Sequence, residues 1–295
     1  MSRKFTTVGI MGKPDNPRVA KTASILYKFL LTKVMNVLVE ESFALGMTPS
    51  PELTVSRNQI GSKCDLVIVV GGDGSMLNAG RLLANYEVPV LGINRGYLGF
   101  LTDISPADMV KQVGEVLDGK YIEEKRFLLF AEVNRGTGGA GKSSESEAMN
   151  DIVLYPGEIS KMLEFEVYID DKFAFSQRSD GIIVSTPTGS TAYALSGGGP
   201  IMHPSLDTIV LVPMNAHTLS SRPIVVDINS HIDIIVAESN KHHPQISCDG
   251  QFTFPVKPGD KISIRKKKRQ LWLLHPADYD YYHVLRTKLG WGHKL

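Results

Sequence analysis

Between Val8 and Ile93 the sequence alternates short apolar runs with stretches of helical spacing, and the runs end on turns. No other feature restricts the fold so strongly. Runs apolar at nearly every residue describe strands buried on both faces, as in a parallel sheet. The central one, Asp65 to Val70, is rich in β-branched residues and ends at Gly71-Gly72-Asp73-Gly74. Met76, Leu77, Ala79, Leu82 and Leu83 then fall at helical spacing, so a helix is expected from Ser75. Val8 to Met11 reads as an earlier strand ending at Gly12-Lys13-Pro14, and Val88 to Ile93 as a later one. Ile25, Leu26, Phe29, Leu30 and Val34 mark a helix within Val19–Leu38, and Val37 to Glu40 a further strand.

This alternation predicts a doubly wound, Rossmann-like α/β domain with a parallel sheet. Functional loops in such sheets lie at the carboxyl ends of strands. Gly71–Gly74 and the turn Asn94-Arg95-Gly96-Tyr97-Leu98-Gly99-Phe100 both occupy such ends. Ser105-Pro106-Ala107-Asp108 has the composition of a helix start, followed by an apolar face of Met109, Val110, Val113, Val116 and Leu117 and a closing Gly119.

From Phe127 the pattern changes to short strands divided by turns. Leu163, Phe165, Val167 and Ile169 alternate with polar residues, Asp170-Asp171 turns, and Phe173 and Phe175 resume, which describes a hairpin with one buried face. Ile182–Val184, Ile209–Val212, Ile224–Val226, Ile232–Val236, Ile246–Cys248 and Leu271–Leu274 continue the series. The expected organisation is therefore an α/β domain over residues 1–126, an all-β domain over 127–275, and a segment 276–295 returning to the first domain. Within that last segment Tyr281, Tyr282, Leu285 and Leu289 show a helical pattern. The stretch Arg135 to Glu147, rich in glycine and serine and without an apolar anchor, reads as a hairpin loop.

Composition narrows the function classes. The 295 residues carry a formal net charge of +1, which gives no whole-chain attraction to nucleic acid or acidic membranes. The two cysteines, Cys64 and Cys248, show neither ligand spacing nor a disulfide framework and suit a reducing cytosol. No run approaches the roughly 20 apolar residues of a membrane helix, and the opening MSRKFTTVGIMG lacks the apolar stretch of a signal peptide. His203, His217, His242 and His243 lack metal-ligand spacing, so no protein metal site is expected. The RKKKR run at Arg265–Arg269 reads as a solvated turn between strands.

Three stretches carry chemistry. A strand, a glycine turn and a helix N-terminus form an anion site whose amides face outward. Asp73 in that turn is unusual, because a carboxylate repels phosphate; it either caps the helix or acts on a proton or metal ion. There is no GxxxxGK[ST] loop and no GxGxxG. The second stretch, Arg178-Ser179-Asp180-Gly181 followed by Ser185 to Ser196, packs five hydroxyls into seven residues, with the glycine-rich SGGGP behind it. It is either a solvated Ser/Thr turn or a loop whose hydroxyls and amides receive ribose, phosphate and amide groups. The third is Asn150-Asp151, which opens a strand and reads alone as a turn cap.

Together, GGDG after a buried strand, GINRGYLGFLTD, MND before IVL, QRSDGIIVSTPTGSTAYALSGGGP and TKLGWG resemble the bacterial NAD kinase family, from about Val8 to Trp291. GGDG alone is shared with diacylglycerol-, sphingosine- and phosphofructokinase-type enzymes; the long second run is far more specific. The resemblance implies transfer of the terminal phosphoryl of ATP to the 2′-hydroxyl of the adenosine ribose of NAD. By motif, Asp73 takes or orients the hydroxyl proton and Gly74 lies beside the ligand. Asn150 and Asp151 stand for the family's NAD-binding Asn-Glu pair, the acid here being one methylene shorter. Arg178, Asp180, Thr191, Ala192, Tyr193, Ala194, Leu195, Ser196 and Gln251 line the NAD site on the same argument, with Lys161 a position where the family varies. The resemblance further implies Mg²⁺ carried on phosphate oxygens, a cytoplasmic homo-oligomer (dimer or tetramer), and no nucleic-acid or membrane partner. Competing readings are a lipid or sugar kinase sharing GGDG, and a non-catalytic NAD-binding sensor, which would not need Asp73.

Overall fold

The structure, a computed structural model, describes residues 4–13, 17–44, 53–95, 98–135, 143–157, 162–218, 220–241 and 243–291. It divides into two compact units, one of Met1–Lys125 with Gln270–Leu295, the other of Arg126–Arg269.

The first unit contains strands β1 (Thr7–Gly12), β2 (Asn36–Glu40), β3 (Thr54–Val55), β4 (Leu66–Gly71) and β5 (Pro89–Asn94), with helices α1 (Pro17–Leu30), α2 (Glu41–Ala44), α3 (Arg57–Lys63), α4 (Asp73–Leu83) and α5 (Met109–Leu117). The strands are ordered β3-β2-β1-β4-β5 and every neighbouring pair is parallel. A sixth parallel segment lies beside β5, with Trp272 opposite Pro89 and Leu274 opposite Leu91. This is the 3-2-1-4-5-6 order of dinucleotide-binding sheets. Its winding reverses between β1 and β4, where such sheets place a ligand crevice at the carboxyl ends. Gly12 and Gly71 end those two strands. Every residue of β4 and β5 is buried, as continuous apolar runs require.

Several expectations need correction. Leu271–Leu274, expected in the all-β domain, is the sixth parallel segment of the first unit, because its apolar run pairs with β5. Residues 144–147, expected in a loop, are strand paired antiparallel with residues 130–133, and residues 136–142 lie outside the described residues. The buried stripe of α1 is Val19, Ala23, Leu26 and Leu30, whereas Ile25 is exposed; the helix stops at Leu30, so Val34 packs from the following turn. Pro106 lies in a turn before α5. The Ser105 hydroxyl accepts the Asp108 N–H at 3.2 Å, Asp108 becomes the cap, and Val110 is exposed. Helix α4 begins at Asp73, two residues before Ser75, because the Gly72 carbonyl already accepts the Ser75 and Met76 amides.

The second unit is a β-sandwich. It takes most of β6 (Tyr121–Asn134), then β7 (Ser144–Ala148), β8 (Asp151–Tyr155), β9 (Leu163–Ile169), β10 (Lys172–Ser179), β11 (Gly181–Ser185), β12 (Thr208–Met214), β13 (Ile224–Asp227), β14 (Ile232–Val236), β15 (Gln245–Cys248), β16 (Phe252–Pro255) and the first part of β17 (Lys261–Pro276). One antiparallel sheet runs β13-β12-β11-β8-β15-β16. The other places β10, β9, β14 and β17 side by side, with β6 between β17 and β7. Alternate residues of both sheets meet in one core: Ile152, Leu154, Ile182 and Val184 from the first, Phe165, Val167, Ile234 and Ile262 from the second. The outer face of the six-stranded sheet is covered too. Val153, Ile183, Val210 and Val212 pack against Ala194 of the short helix α6 (Tyr193–Ser196) and against Met202.

Asp170 and Asp171 have φ of +51° and +62°, the two left-handed residues of a two-residue hairpin turn. The register shifts between Phe173 and Phe175, so Phe173 points to solvent while Phe175 rests on the core. Arg265–Arg269 lies inside β17, not in a turn. Cross-strand carboxylates accommodate its charge: Arg265 lies 4.0 Å from Glu132, and Lys267 pairs with Glu147. In the first unit α7 (Tyr281–Leu289) buries Tyr281, Val284 and Leu285, while Tyr282 is exposed.

Candidate active site

The reversal point of the parallel sheet carries Asp73 in the first turn of α4. Its carboxylate does not cap its own helix; Gly72 is the cap, without a side-chain bond. Three donors from a neighbouring turn meet it instead. The Phe100 amide reaches Oδ2 at 2.9 Å, and the Leu101 amide and Thr102 hydroxyl reach Oδ1 at 3.0 and 3.2 Å. That turn is pinned to the end of β5. The Asn94 side-chain amide donates to the Thr102 carbonyl at 3.2 Å, and the Asn94 backbone amide to the Ile104 carbonyl at 2.8 Å. Gly99 is required by the close approach, since a Cβ there would lie 2.1 Å from Asp73 Oδ1 and 2.6 Å from the Thr102 hydroxyl. Gly72 and Gly74 are exposed with open space beside their α-carbons, leaving room for a phosphate. Gly96 and Tyr97 lie outside the described residues.

The second unit holds a cleft of about 610 Å³. Asn150, Asp151, Asp180, Tyr193, Asn215 and Asp249 supply much of its polar lining, and Val153, Tyr155 and Met214 apolar wall. Asp249 organises one side. Its carboxylate accepts the amides of Met149, Asn150 and Asp151 at 3.0, 2.7 and 3.3 Å, turning the start of β8 toward the opening. Asp151 is 5% exposed. Burial, and then the Asp249 charge, push its carboxyl from an ordinary 3.8 up to about 7. On the other side Asp180 Oδ2 accepts the Asn215 side-chain amide at 2.8 Å.

The hydroxyl-rich loop is neither solvated nor, for the most part, turned to the cleft. Ser185, Thr186, Thr188 and Ser190 are buried. Ser185 donates to the Asn150 carbonyl at 3.1 Å and Thr186 to the Met149 carbonyl at 2.6 Å; Ser190 donates to the Pro187 carbonyl at 2.7 Å and accepts the Met202 amide at 2.9 Å. A Cβ at Gly189 would lie 2.2 Å from the Asn150 carbonyl oxygen, so the loop can press against the strand start only without a side chain there. The hydroxyls hold the loop in place, and Ala192 and Tyr193 are what it presents to the cleft.

Of the residues singled out from sequence, Asn150, Asp151, Asp180, Ala192 and Tyr193 come together around this cleft. Thr191, Leu195 and Ser196 do not line it. Ala194 is buried in the outer apolar cluster, so its side chain serves packing. Arg178 points elsewhere, 3.7 Å from Glu164, and Gln251 is exposed in the turn after Asp249. Lys161 lies outside the described residues, and Asp73 and Gly74 belong to the other unit. Sequence reading missed Asp249, Asn215, Tyr155, Ser247 and Thr253. Asp249-Gly250 carried a signal: an Asp-Gly pair between apolar runs marks a hairpin turn, and both residues have positive φ. Among the described residues no group of three or more His, Cys, Asp or Glu side chains is placed to hold a metal ion, and no helix is long and apolar enough to cross a membrane.

One unit with a glycine turn and a fixed carboxylate at the reversal point of a dinucleotide-type sheet, and a second, sandwich unit carrying a polar cleft, describe a nucleotide-binding chain of two units. Family matches refine that class. The ATP-NAD kinase N-terminal domain matches residues 8–121 and the ATP-NAD kinase C-terminal domain residues 149–275. The NAD kinase of Pseudomonas paraeruginosa is 55% identical over 291 residues, covering 99% of this chain and 98% of that protein. The NAD kinase of Pseudomonas fluorescens strain Pf-5 is 54% identical over 292 residues, with the same coverage. Among solved structures, yeast NADH kinase complexed with NADH superposes with a TM-score of 0.85 at 26% identity, covering 99% of this chain and 90% of that one. The NAD kinase from Archaeoglobus fulgidus in complex with ATP gives 0.68 at 23% identity, covering 97% and 98%, a likeness of fold. The chain belongs to the NAD kinase family.

Proposed function

We infer that this chain is an ATP-dependent NAD kinase, transferring the terminal phosphoryl of ATP to the 2′-hydroxyl of the adenosine ribose of NAD. Asp73, held by three donors at the sheet's reversal point, is the observation that carries the reading. An aspartate, with an ordinary pKa of about 3.9, cannot deprotonate a sugar hydroxyl outright. Phosphoryl transfer passes through a loose transition state with little bonding to the nucleophile, so the proton leaves late. Asp73 then orients the hydroxyl and receives the proton at a carboxylate oxygen. A carboxylate fixed on two backbone amides is suited to that, because most of the acceleration comes from positioning and from neutralising phosphate charge.

The α/β unit receives the nucleotide phosphates on the open glycines Gly72 and Gly74. The sandwich unit grips NAD through Asn150, Asp151, Asp180, Ala192 and Tyr193. A divalent ion, ordinarily Mg²⁺, would arrive with ATP on phosphate oxygens and water and offset phosphate charge. The protein works in the cytoplasm as a homo-oligomer, a dimer or tetramer, with small-molecule partners only. Two buried free thiols support a reducing compartment, and exposed Ile224 and Val225 on the edge strand β13 support association.

The test is incubation of the purified protein with NAD, ATP and Mg²⁺ and detection of NADP by an NADP-specific dehydrogenase. NADP formation is expected. NAD binding without NADP would establish a sensor, and phosphorylation of lipid or sugar in place of NAD a different kinase.

A further inference from the structure

The turn that holds Asp73 is itself held from the C-terminal segment of the same unit. Asp103 follows Thr102 directly, and its Oδ2 lies 2.9 Å from His275 Nδ1. On the other side of the ring His275 Nε2 lies 3.5 Å from Glu124 Oε2. The imidazole is 1% exposed and stacks on Tyr279, with centroids 4.0 Å apart and planes 14° apart. Nδ1 is hydrogen-bonded to Asp103, whereas Nε2 faces the Glu124 carboxylate without a hydrogen bond, so the two negative charges flanking the ring favour the imidazolium. Burial works against that charge, but the hydrogen bond to Asp103 and the charges of Asp103 and Glu124 outweigh it and raise the pKa above its ordinary value. Asp103 Oδ1 is buried and meets no hydrogen-bond donor among the described residues, so the carboxylate relies on His275. A second contact from the same segment reaches the turn: Lys288 Nζ lies 5.8 Å from the ring centroid of Phe100.

We propose that His275 is a positioning residue for the reaction: through Asp103 it fixes the turn whose Phe100, Leu101 and Thr102 donors aim Asp73. The proposal rests on the reading of Asp73 given above. Sequence supports the linkage, since Thr102-Asp103 places the Asp73 donor and the His275 acceptor on adjacent residues. Without the imidazolium, Asp103 becomes a buried carboxylate with nothing to offset its charge, and the cheapest relief is for the turn to shift toward water. A displacement of about 1 Å at a catalytic group is enough to cost about a hundredfold in rate.

The experiment compares His275→Gln with the wild type and with the double variant His275→Gln/Asp103→Asn. For the single variant kcat is expected to fall about a hundredfold, while KM for NAD and for ATP stays within about twofold, because binding groups are untouched. Amide exchange read by mass spectrometry is expected to speed up in peptides covering 98–104 and to stay unchanged in peptides covering β4. Removing the stranded charge in the double variant is expected to restore about a tenth of the wild-type rate, a recovery that loss of packing alone would not give. Wild-type kcat and wild-type exchange at 98–104 in His275→Gln would overturn the proposal. So would faster exchange in β4 as well, with no recovery in the double variant, which would make the residue merely structural. A wild-type protein that makes no NADP would instead overturn the proposed function. The exchange comparison would then still decide the role of His275, since unchanged protection at 98–104 refutes it.

Discussion

Asp73 and Asp151 are the same residue type placed in opposite ways. Asp73 is half-buried at a helix start and accepts three hydrogen bonds from a single neighbouring turn. Asp151 is almost wholly buried beside a second carboxylate, and burial with the Asp249 charge lifts its carboxyl to about 7. In the first case the surroundings fix where an oxygen points. In the second they fix whether it is charged. In the proposed reaction the rigid donors around Asp73 would serve orientation, and the carboxyl of Asp151, lifted toward neutrality, would serve recognition of NAD.

The contrast predicts different failures. Asp73→Asn keeps the side chain's shape but removes the proton acceptor, so kcat is expected to fall roughly a thousandfold with NAD affinity nearly unchanged. Gly99→Ala attacks orientation alone. Its methyl group would overlap Asp73 Oδ1, and steady-state assays should show about a hundredfold lower kcat with little change in KM. Asp151→Ala should act on binding: NAD affinity measured by calorimetry is expected to weaken about tenfold, and ATP affinity to stay the same. Equal losses for both nucleotides would end the division of labour.

The smallest effect is a pH signature in stability. The folded-state pKa of Asp151 is raised, so its protonated form is favoured on folding. Below about pH 4 the group is protonated in both states and costs nothing. As pH rises toward 7 the unfolded chain ionises more easily than the folded one, and stability falls, by a few kcal/mol at most and in full above about pH 7. Asp151→Asn lacks that slope, so its melting temperature should gain on the wild type between pH 5 and pH 8. Parallel curves would show that the site does not strain its carboxyl.

Much of this was legible in the sequence where local rules decide. Continuous apolar runs read as parallel strands because both faces of β4 and β5 are buried. Asp170-Asp171 read as a turn because short acidic residues tolerate left-handed backbone. What escaped depends on pairing across the fold. Arg265–Arg269 looks like a turn until Glu132 and Glu147 stand opposite it. The hydroxyls of Ser185, Thr186 and Ser190 look like ligand contacts until carbonyls from Met149, Asn150 and Pro187 claim them. Asp249 stood in a recognisable hairpin turn, but nothing local says that its carboxylate collects three amides about a hundred residues away. Phe100 read as the end of a glycine turn, and Leu101 and Thr102 only as part of the GINRGYLGFLTD stretch; the folded chain shows all three holding Asp73.

The most direct test measures turnover and NAD affinity side by side in Asp73→Asn. The account predicts NADP formation lower by roughly three orders of magnitude with an NAD dissociation constant within about threefold of the wild type. A variant that turns over NAD at a near-normal rate, or that loses activity only because it no longer binds NAD, would contradict it.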